Sequence, residues 1–365
     1  MPSTAGAIAE TASTVLIVDD SSFMRALIAE MVESTSEYRV IGTASDGLEA
    51  IEAVRTLHPD IVTLDIEMPR LDGLQVLETI MREMARPVVM LSAAGSERAN
   101  EMTLRALERG AVEFVRKPSG PISIDLLTVR QELIAALNAA RAVNMASVRT
   151  IPGAVPVSAE TVPKKDSGAA TLAVVVAAST GGPRALGEIV PHLPDDLGAA
   201  VLVVQHMPRE FTRTLAHRLD LMSPLPVAEA VEGEPVLENH VYLAPGGFHL
   251  TVRGTIGGAT AHLDTSKTLW GVRPAADPLF RSVASVFAKA TIGVVLTGMG
   301  RDGADGLRCL RESGGIAVVQ DRDSSIIYGM PQAALEMAGA DRIAPARKIA
   351  RVITDLCRTR KRGIG

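Results

Sequence analysis

The chain is poor in cysteine: its 365 residues include two, Cys309 and Cys357. Neither belongs to a CxxC or another metal-ligand spacing, which excludes a disulfide scaffold and a thiolate metal site and suits reducing surroundings. Aromatic residues make up only 3% of the chain, too few for the stacking platforms of single-stranded nucleic acid binders. A formal net charge of −5 offers neither DNA nor an anionic membrane an attractive field. No apolar run approaches the roughly 20 residues that span a bilayer. The opening MPSTAGAIAE lacks the basic start and apolar core of a secretory signal. These absences predict a cytoplasmic protein with no direct membrane insertion and a loose tail over residues 1–12.

What is present is apolar residue, at 47%, enough to fill more than one core. A chain of this length is expected to make two domains. From Thr14, short apolar runs alternate with helical patterns: TVLIV (14–18), YRVIGTA (38–44), DIVTL (60–64), PVVML (87–91) and VEFV (112–115). Runs without in/out alternation mark strands buried on both faces of a parallel sheet. The repeated βα pattern predicts a doubly wound α/β domain over residues 13–143. Residues 144–170 then carry three prolines and no periodicity, and read as a flexible linker. A second α/β domain is expected over 171–360, with strands TLAVVVAA, AAVLVVQ, TIGVVLT and GGIAVVQ in a mostly parallel sheet. The strand-rich middle, 226–264, is expected to form antiparallel edge structure.

Function in open parallel sheets gathers beyond the carboxyl ends of the strands. In the first domain those ends carry Asp19 and Asp20, Asp65, Ser92 and Lys117. Clustered carboxylates repel one another and are tolerable in a buried site with a cation, and all-oxygen ligands favour a hard ion such as Mg²⁺. Asp65 is then placed to attack a phosphoryl donor, Ser92 to hydrogen-bond the phosphoryl oxygens and Lys117 to neutralise them. Phe114 stands ready to change rotamer with Ser92. A lone DD after a strand is more often a turn or helix cap; the joint pattern at successive strand ends is much harder to explain that way.

In the second domain Ser179 ends one strand, and Gly181-Gly182-Pro183 turns the chain into a helix whose free N–H groups favour a developing anion. His206 ends the next strand. If the two strands are neighbours, roughly 4.8 Å apart, His206 can take the proton of Ser179. Asp302, in the loop GMGRDG, can orient the imidazole, and Met299 and its flanking glycines can aim backbone N–H groups at an oxyanion. Each residue alone has a plainer reading, a helix cap or a strand-end polar group. The string GMGRDG also fits a dinucleotide fingerprint, with Asp321 as the ribose-binding acid, but it stands late in the domain and leaves Ser179 and His206 unexplained. A DNA-binding output half would need a helix-turn-helix and a basic face, and only RTRKRG (358–363) is basic.

The strings VDDS (18–21), LDIEMPRLDG (64–73), MLSA (90–93) and KP (117–118) resemble the receiver domain of bacterial response regulators. That resemblance implies a flavodoxin-like fold with a five-stranded parallel sheet. It implies phosphorylation of Asp65 by a histidine kinase, and Mg²⁺ at the acidic site of Asp19, Asp20, Asp65 and the backbone carbonyl of Glu67. The strings AASTGGP (177–183), VVQHMP (203–208), YLAPGG (242–247), VLTGMGRDG (295–303) and YGMP (328–331) look like the catalytic domain of chemotaxis protein-glutamate methylesterases. This second resemblance implies Ser179 as nucleophile, His206 as base, Asp302 as its partner and the Met299 N–H as an oxyanion donor, with no cofactor in the catalytic domain. Methyl-accepting chemoreceptors would be the substrates, glutamine deamidation a second activity, and nucleic acid no partner. The unphosphorylated receiver would then cover the catalytic cleft and open it on phosphorylation. Ala275 stands where the family often has serine, and Ser324 where it often has threonine, which bears on substrate detail rather than on the reaction.

Overall fold

The computed structural model describes residues 12–93, 96–118, 124–148 and 167–364. Residues 1–11 of the tail expected at 1–12, and 149–166 of the linker expected at 144–170, lie outside them. The chain divides into two compact units, residues 1–94 with 109–142, and 95–108 with 143–365. No helix among the described residues is long and apolar enough to cross a membrane.

In chain order the first part runs β1 (Ser13–Val18), α1 (Ser22–Glu33), β2 (Tyr38–Ala44), α2 (Gly47–Leu57), β3 (Ile61–Asp65), α3 (Gly73–Glu83), β4 (Val88–Ser92), α4 (Glu97–Glu108), β5 (Glu113–Arg116) and α5 (Ile124–Arg141). Its five strands pair in parallel in the order β2-β1-β3-β4-β5, the sheet expected from the apolar runs. Every residue of β3 and β4 is buried, so no alternation is visible in those strands. Leu16, Ile17, Leu64 and Met90 are fully enclosed, and burying such a side chain stabilises the fold by about 1.5–3 kcal/mol. Local signals start the helices. Asp46 accepts the N–H groups of Leu48 and Glu49 ahead of α2, and Asp72 with Gln75 forms a capping box on α3. Gly73 opens α3 directly against the end of β3, where a Cβ would stand 2.1 Å from the Asp65 carbonyl oxygen. Glycine is therefore required for the close approach that seats the loop after Asp65.

The second part runs α6 (Met145–Val148), β6 (Ala173–Ala178), α7 (Gly182–Ile189), β7 (Ala200–Gln205), α8 (Arg209–Met222), β8 (Val227–Glu229), β9 (Val241–Leu243), β10 (His249–Arg253), β11 (Thr260–Asp264), α9 (Ala276–Phe287), β12 (Thr291–Val295), α10 (Ala304–Glu312), β13 (Ile316–Gln320), α11 (Gly329–Met337), β14 (Arg342–Ala344) and α12 (Ala346–Ile364). A seven-stranded sheet has the order β14-β13-β12-β6-β7-β9-β8, with every pairing parallel. Phe211, Phe280 and Phe287, from α8 and α9, are among its largest fully buried side chains. The antiparallel structure expected from 226–264 is the pair β10–β11, which forms a separate two-stranded sheet. β8 and β9, from the same stretch, extend the main sheet in parallel instead.

The stretch read as linker is ordered at both ends. The Asn144 N–H donates to the Ile326 carbonyl (2.9 Å), α6 follows, and Ser147 Oγ donates to the Ser325 carbonyl (3.0 Å). At the far end, the Ala170 N–H donates to Val236 and the Glu238 N–H to Gly168. One helical turn and a few bridging residues are too short to show a period, so sequence pattern misses them.

Candidate active site

Strand β6 lies between β12 and β7, and its last pairing partner on β7 is Gln205, opposite Ala178. The ladder then runs one step further on both sides. The Ser179 N–H donates to the Thr297 carbonyl (3.1 Å) and the His206 N–H to the Ala178 carbonyl (3.0 Å). Ser179 and His206 therefore occupy the next register position across adjacent strands. The Ser179 hydroxyl, half-buried, makes no hydrogen bond among the described residues. Gly298, beyond β12, presses on it: a Cβ there would stand 2.7 Å from Ser179 Cβ and 2.4 Å from Met330 Sδ. A residue larger than glycine would displace the serine.

Asp302 follows in the same loop. Its Oδ2 accepts from His206 Nε2 at 2.7 Å and from the Ala276 N–H at 2.6 Å; its Oδ1 accepts from the N–H groups of Asp277 (3.0 Å) and Gly303 (2.9 Å). The carboxylate is 2% exposed. Burial pushes its pKa up, but the His206 contact and the backbone N–H donors outweigh burial and hold it below the usual carboxylate range. The structure thus joins His206 to Asp302 by a hydrogen bond and sets Ser179 beside His206 without one. Met299, next to Gly298, is exposed, and its N–H has no acceptor among the described residues.

Three buried residues that sequence reading passed over hold these groups in place. The Gln205 side-chain amide donates to the Ser179 carbonyl and the His206 carbonyl, both at 3.0 Å, and so clamps the two strand ends. Thr297 Oγ1 lies 3.0 Å from the Thr180 carbonyl and accepts the Ile327 N–H at 3.0 Å, knitting the serine loop to the loop before α11. Asp277 accepts the N–H groups of Gly303 and Gly306 at Oδ1 and the indole N–H of Trp270 at Oδ2. Burial raises the Asp277 pKa, with the Asp302 charge adding to the rise. Only the position of Gln205 at a strand end hinted at its role. Asp321 bonds the N–H and hydroxyl of Ser324 (2.9 and 2.7 Å), which engages the acid that the dinucleotide reading needs for a ribose.

In the first unit, Asp19 and Asp65 are buried and Asp20 is exposed, and one carboxylate oxygen from each lies within 4.8 Å of the others. Lys117 Nζ stands 2.7 Å from Asp19 Oδ2 and 2.7 Å from Asp65 Oδ2. Burial opposes the charge on Lys117, but the two carboxylates hold its pKa above the usual value. A single ammonium leaves negative charge uncompensated. Burial lifts Asp65 to about 6, with Asp19 adding to the rise and Lys117 opposing it. Apart from Lys117, the two Oδ2 atoms have no partner among the described residues. This donor set, oxygen only and short of positive charge, fits a hard divalent cation. The Glu67 side chain is exposed, while its N–H donates to Asp65 Oδ1 at 3.3 Å. Ser92 is buried at the end of β4, one step past the Asp65–Leu91 pair, and its carbonyl accepts the Lys117 N–H at 2.9 Å. Phe114 sits across from Met90 on β5.

Two family models match the chain: response regulator receiver domain over residues 15–127 and CheB methylesterase over 174–353. A curated relative from Pyrococcus horikoshii, named protein-glutamate methylesterase/protein-glutamine glutaminase, is 46% identical over 337 residues, 92% of this chain and 91% of its own. A relative of the same name from Thermotoga maritima is 41% identical over 342 residues, 94% of this chain and 98% of its own. The crystal structure of the Thermotoga maritima CheB methylesterase catalytic domain aligns with a TM-score of 0.50 at 42% identity, over 52% of this chain and 99% of that one. Matched over most of its length at such identity, the chain belongs to the protein-glutamate methylesterase/protein-glutamine glutaminase family, with a receiver domain ahead of the methylesterase domain.

Proposed function

We propose that this chain is a phosphorylation-regulated hydrolase of glutamate γ-methyl esters on chemoreceptors, with the same site deamidating receptor glutamines. The observation that carries the reading is the 2.7 Å bond from His206 to a fully hydrogen-bonded Asp302, at the strand step next to Ser179. With Nε2–H held by Asp302, Nδ1 of His206 is the base. It takes the Ser179 proton as Oγ bonds to the ester carbonyl carbon, and the carbonyl electrons move to oxygen. The Met299 N–H supports that oxyanion. The C–O bond to methoxide breaks, His206 returns the proton, and methanol leaves. Water, deprotonated by His206, attacks the acyl-enzyme, and glutamate and Ser179 are regenerated. With a glutamine substrate ammonia departs in place of methanol.

The first unit supplies the control. Asp19, Asp20, Asp65 and the Glu67 carbonyl would hold Mg²⁺, which neutralises the oxygens of an incoming phosphoryl group. Asp65 accepts the phosphoryl group from a kinase histidine. Lys117 and Ser92 hold the phosphoryl oxygens once it has transferred, and the second unit then turns over faster. The domain division in this reading is 13–143, a linker over 144–170 and a catalytic domain over 171–360. The test is methanol release from methylated receptor membranes with and without a small phosphodonor and Mg²⁺. Stimulated release that Ser179→Ala abolishes is the expected result. Release that survives this change removes Ser179 from the chemistry, and release indifferent to the phosphodonor removes the control.

A further inference from the structure

Three arginines, one past His206, one beside Asp302 and one in the loop after β13, each lie over an aromatic ring. Arg209, three residues past His206, has its Cζ 5.7 Å from the centroid of Phe248. Arg301, beside Asp302, is 5.1 Å from Trp270, and Arg322 is 4.4 Å from Tyr328, at the start of α11. The rings are tied to the same loops. The Trp270 indole N–H donates to Asp277, whose own N–H donates to Asp302. The Met330 N–H, two residues past Tyr328, donates to the Gly298 carbonyl. Gly246, two residues before Phe248, packs on the backbone of Arg209.

All three guanidinium groups belong to exposed residues, and none forms an ion pair among the described residues. Elsewhere on this unit Arg213 meets Glu229, Arg281 meets Asp305 and Arg308 meets Glu312, while exposed Arg253, Arg342, Arg347 and Arg358 form no ion pair among the described residues; the three near the site differ from these in lying over rings. Asp323, exposed and next in sequence to Arg322, pairs with none of the three. Stacking on a ring orients a guanidinium while leaving its N–H fork open, so less freedom is lost when it binds a carboxylate. Exposed apolar side chains stand among them: Trp270 is 55% exposed, Met299 46% and Leu269 39%.

Cationic forks beside apolar knobs suit an amphipathic helix that bears carboxylates. Resting on the methylesterase reading above, we infer that Arg209, Arg301 and Arg322 form a rim that selects esters by the carboxylates on the substrate helix around them, at positions three or four residues away on the same face. The reaction product is itself a carboxylate. Each ester removed therefore adds a ligand for the rim, and a neighbouring ester on the same helix becomes a better substrate than it was.

The test uses the full chain with a phosphodonor and helical peptides that carry one glutamate methyl ester, flanked one turn away by glutamates or by serines. The expected preference is a KM lower by about tenfold for the acidic flank, since a few exposed charge contacts combine to roughly that factor. The preference fades with added salt, while kcat differs little. In the triple change Arg209→Gln, Arg301→Gln, Arg322→Gln the two peptides converge in KM. Should that variant fold poorly, Arg322→Gln alone narrows the preference, and Arg322→Lys restores part of it through charge without the fork. Equal KM values with the unaltered protein overturn the rim, as does a preference that survives these changes. A protein that releases methanol from neither peptide nor from receptor membranes refutes the esterase reading itself, a different outcome from an esterase that ignores flanking charge.

Discussion

Asp65 ends β3 in the first unit and Asp302 lies in the loop after β12 in the second, and both are 2% exposed. Their pKa values nevertheless move in opposite directions, Asp65 up to about 6 and Asp302 below the usual carboxylate range. Burial is common to both, so the difference lies in the donors. Asp302 receives three backbone N–H groups and an imidazole. Asp65 shares one ammonium with Asp19 and has one long contact from the Glu67 N–H. Equal burial therefore yields a permanent charge where dipoles converge, and a charge awaiting a partner where they do not. The first suits a residue that orients a base in every turnover. The second suits a residue that must receive a cation and a phosphoryl group.

The changes that test this contrast differ widely in size. Ser179→Ala should lower methanol release by three or more orders of magnitude, and an organophosphonate should then no longer label the protein. Asp302→Asn should cost roughly 10³–10⁴ in turnover; a loss under tenfold would show that the converging donors serve the fold alone. Asp65→Asn should leave turnover without a phosphodonor in place and abolish its stimulation.

The same change should raise stability. Because the folded-state pKa of Asp65 lies above its unfolded value, the folded state binds more protons between about pH 4 and pH 6, and stability falls as pH rises through that window. Above it, Asp65→Asn in Mg²⁺-free buffer should stabilise the first unit by on the order of 2–3 kcal/mol. The gain should vanish below about pH 4 and shrink with Mg²⁺, as read from the denaturant midpoint of that unit. A pH-independent difference would mean that Asp65 carries no trapped charge. The smallest effect is expected from Gln205→Leu, which removes the clamp on the carbonyls of Ser179 and His206. It should cost about 1–3 kcal/mol in stability and lower turnover more than it changes KM.

Much of this organisation was legible before any coordinates. Of the five runs from Thr14 to Val115, those of β3 and β4 are buried at every residue and so lack an in/out alternation, and the ends of the runs name Asp19, Asp65, Ser92 and Lys117. Ser179, His206 and Asp302 stand out for the same reason. What was not legible depends on lateral neighbours. Gln205 matters because β6 lies beside β7, Thr297 because β12 flanks β6 on the other side, and Asp277 because the start of α9 meets the Asp302 loop. No spacing along the chain encodes those encounters. β8 and β9, at three residues each, are too short to reveal their direction, and α6 is a single turn.

The position of β6 has one more consequence. In the order β14-β13-β12-β6-β7-β9-β8, the chain first builds outward on one flank of β6, then returns to build on the other. Segments leaving β6 and β12 must therefore diverge to opposite sides of the layer, and a cleft opens between them at that seam. A cleft of this origin is a slot rather than a tunnel. On the function proposed above, such a slot would take a side chain projecting from the middle of a long folded rod, with no free end to thread.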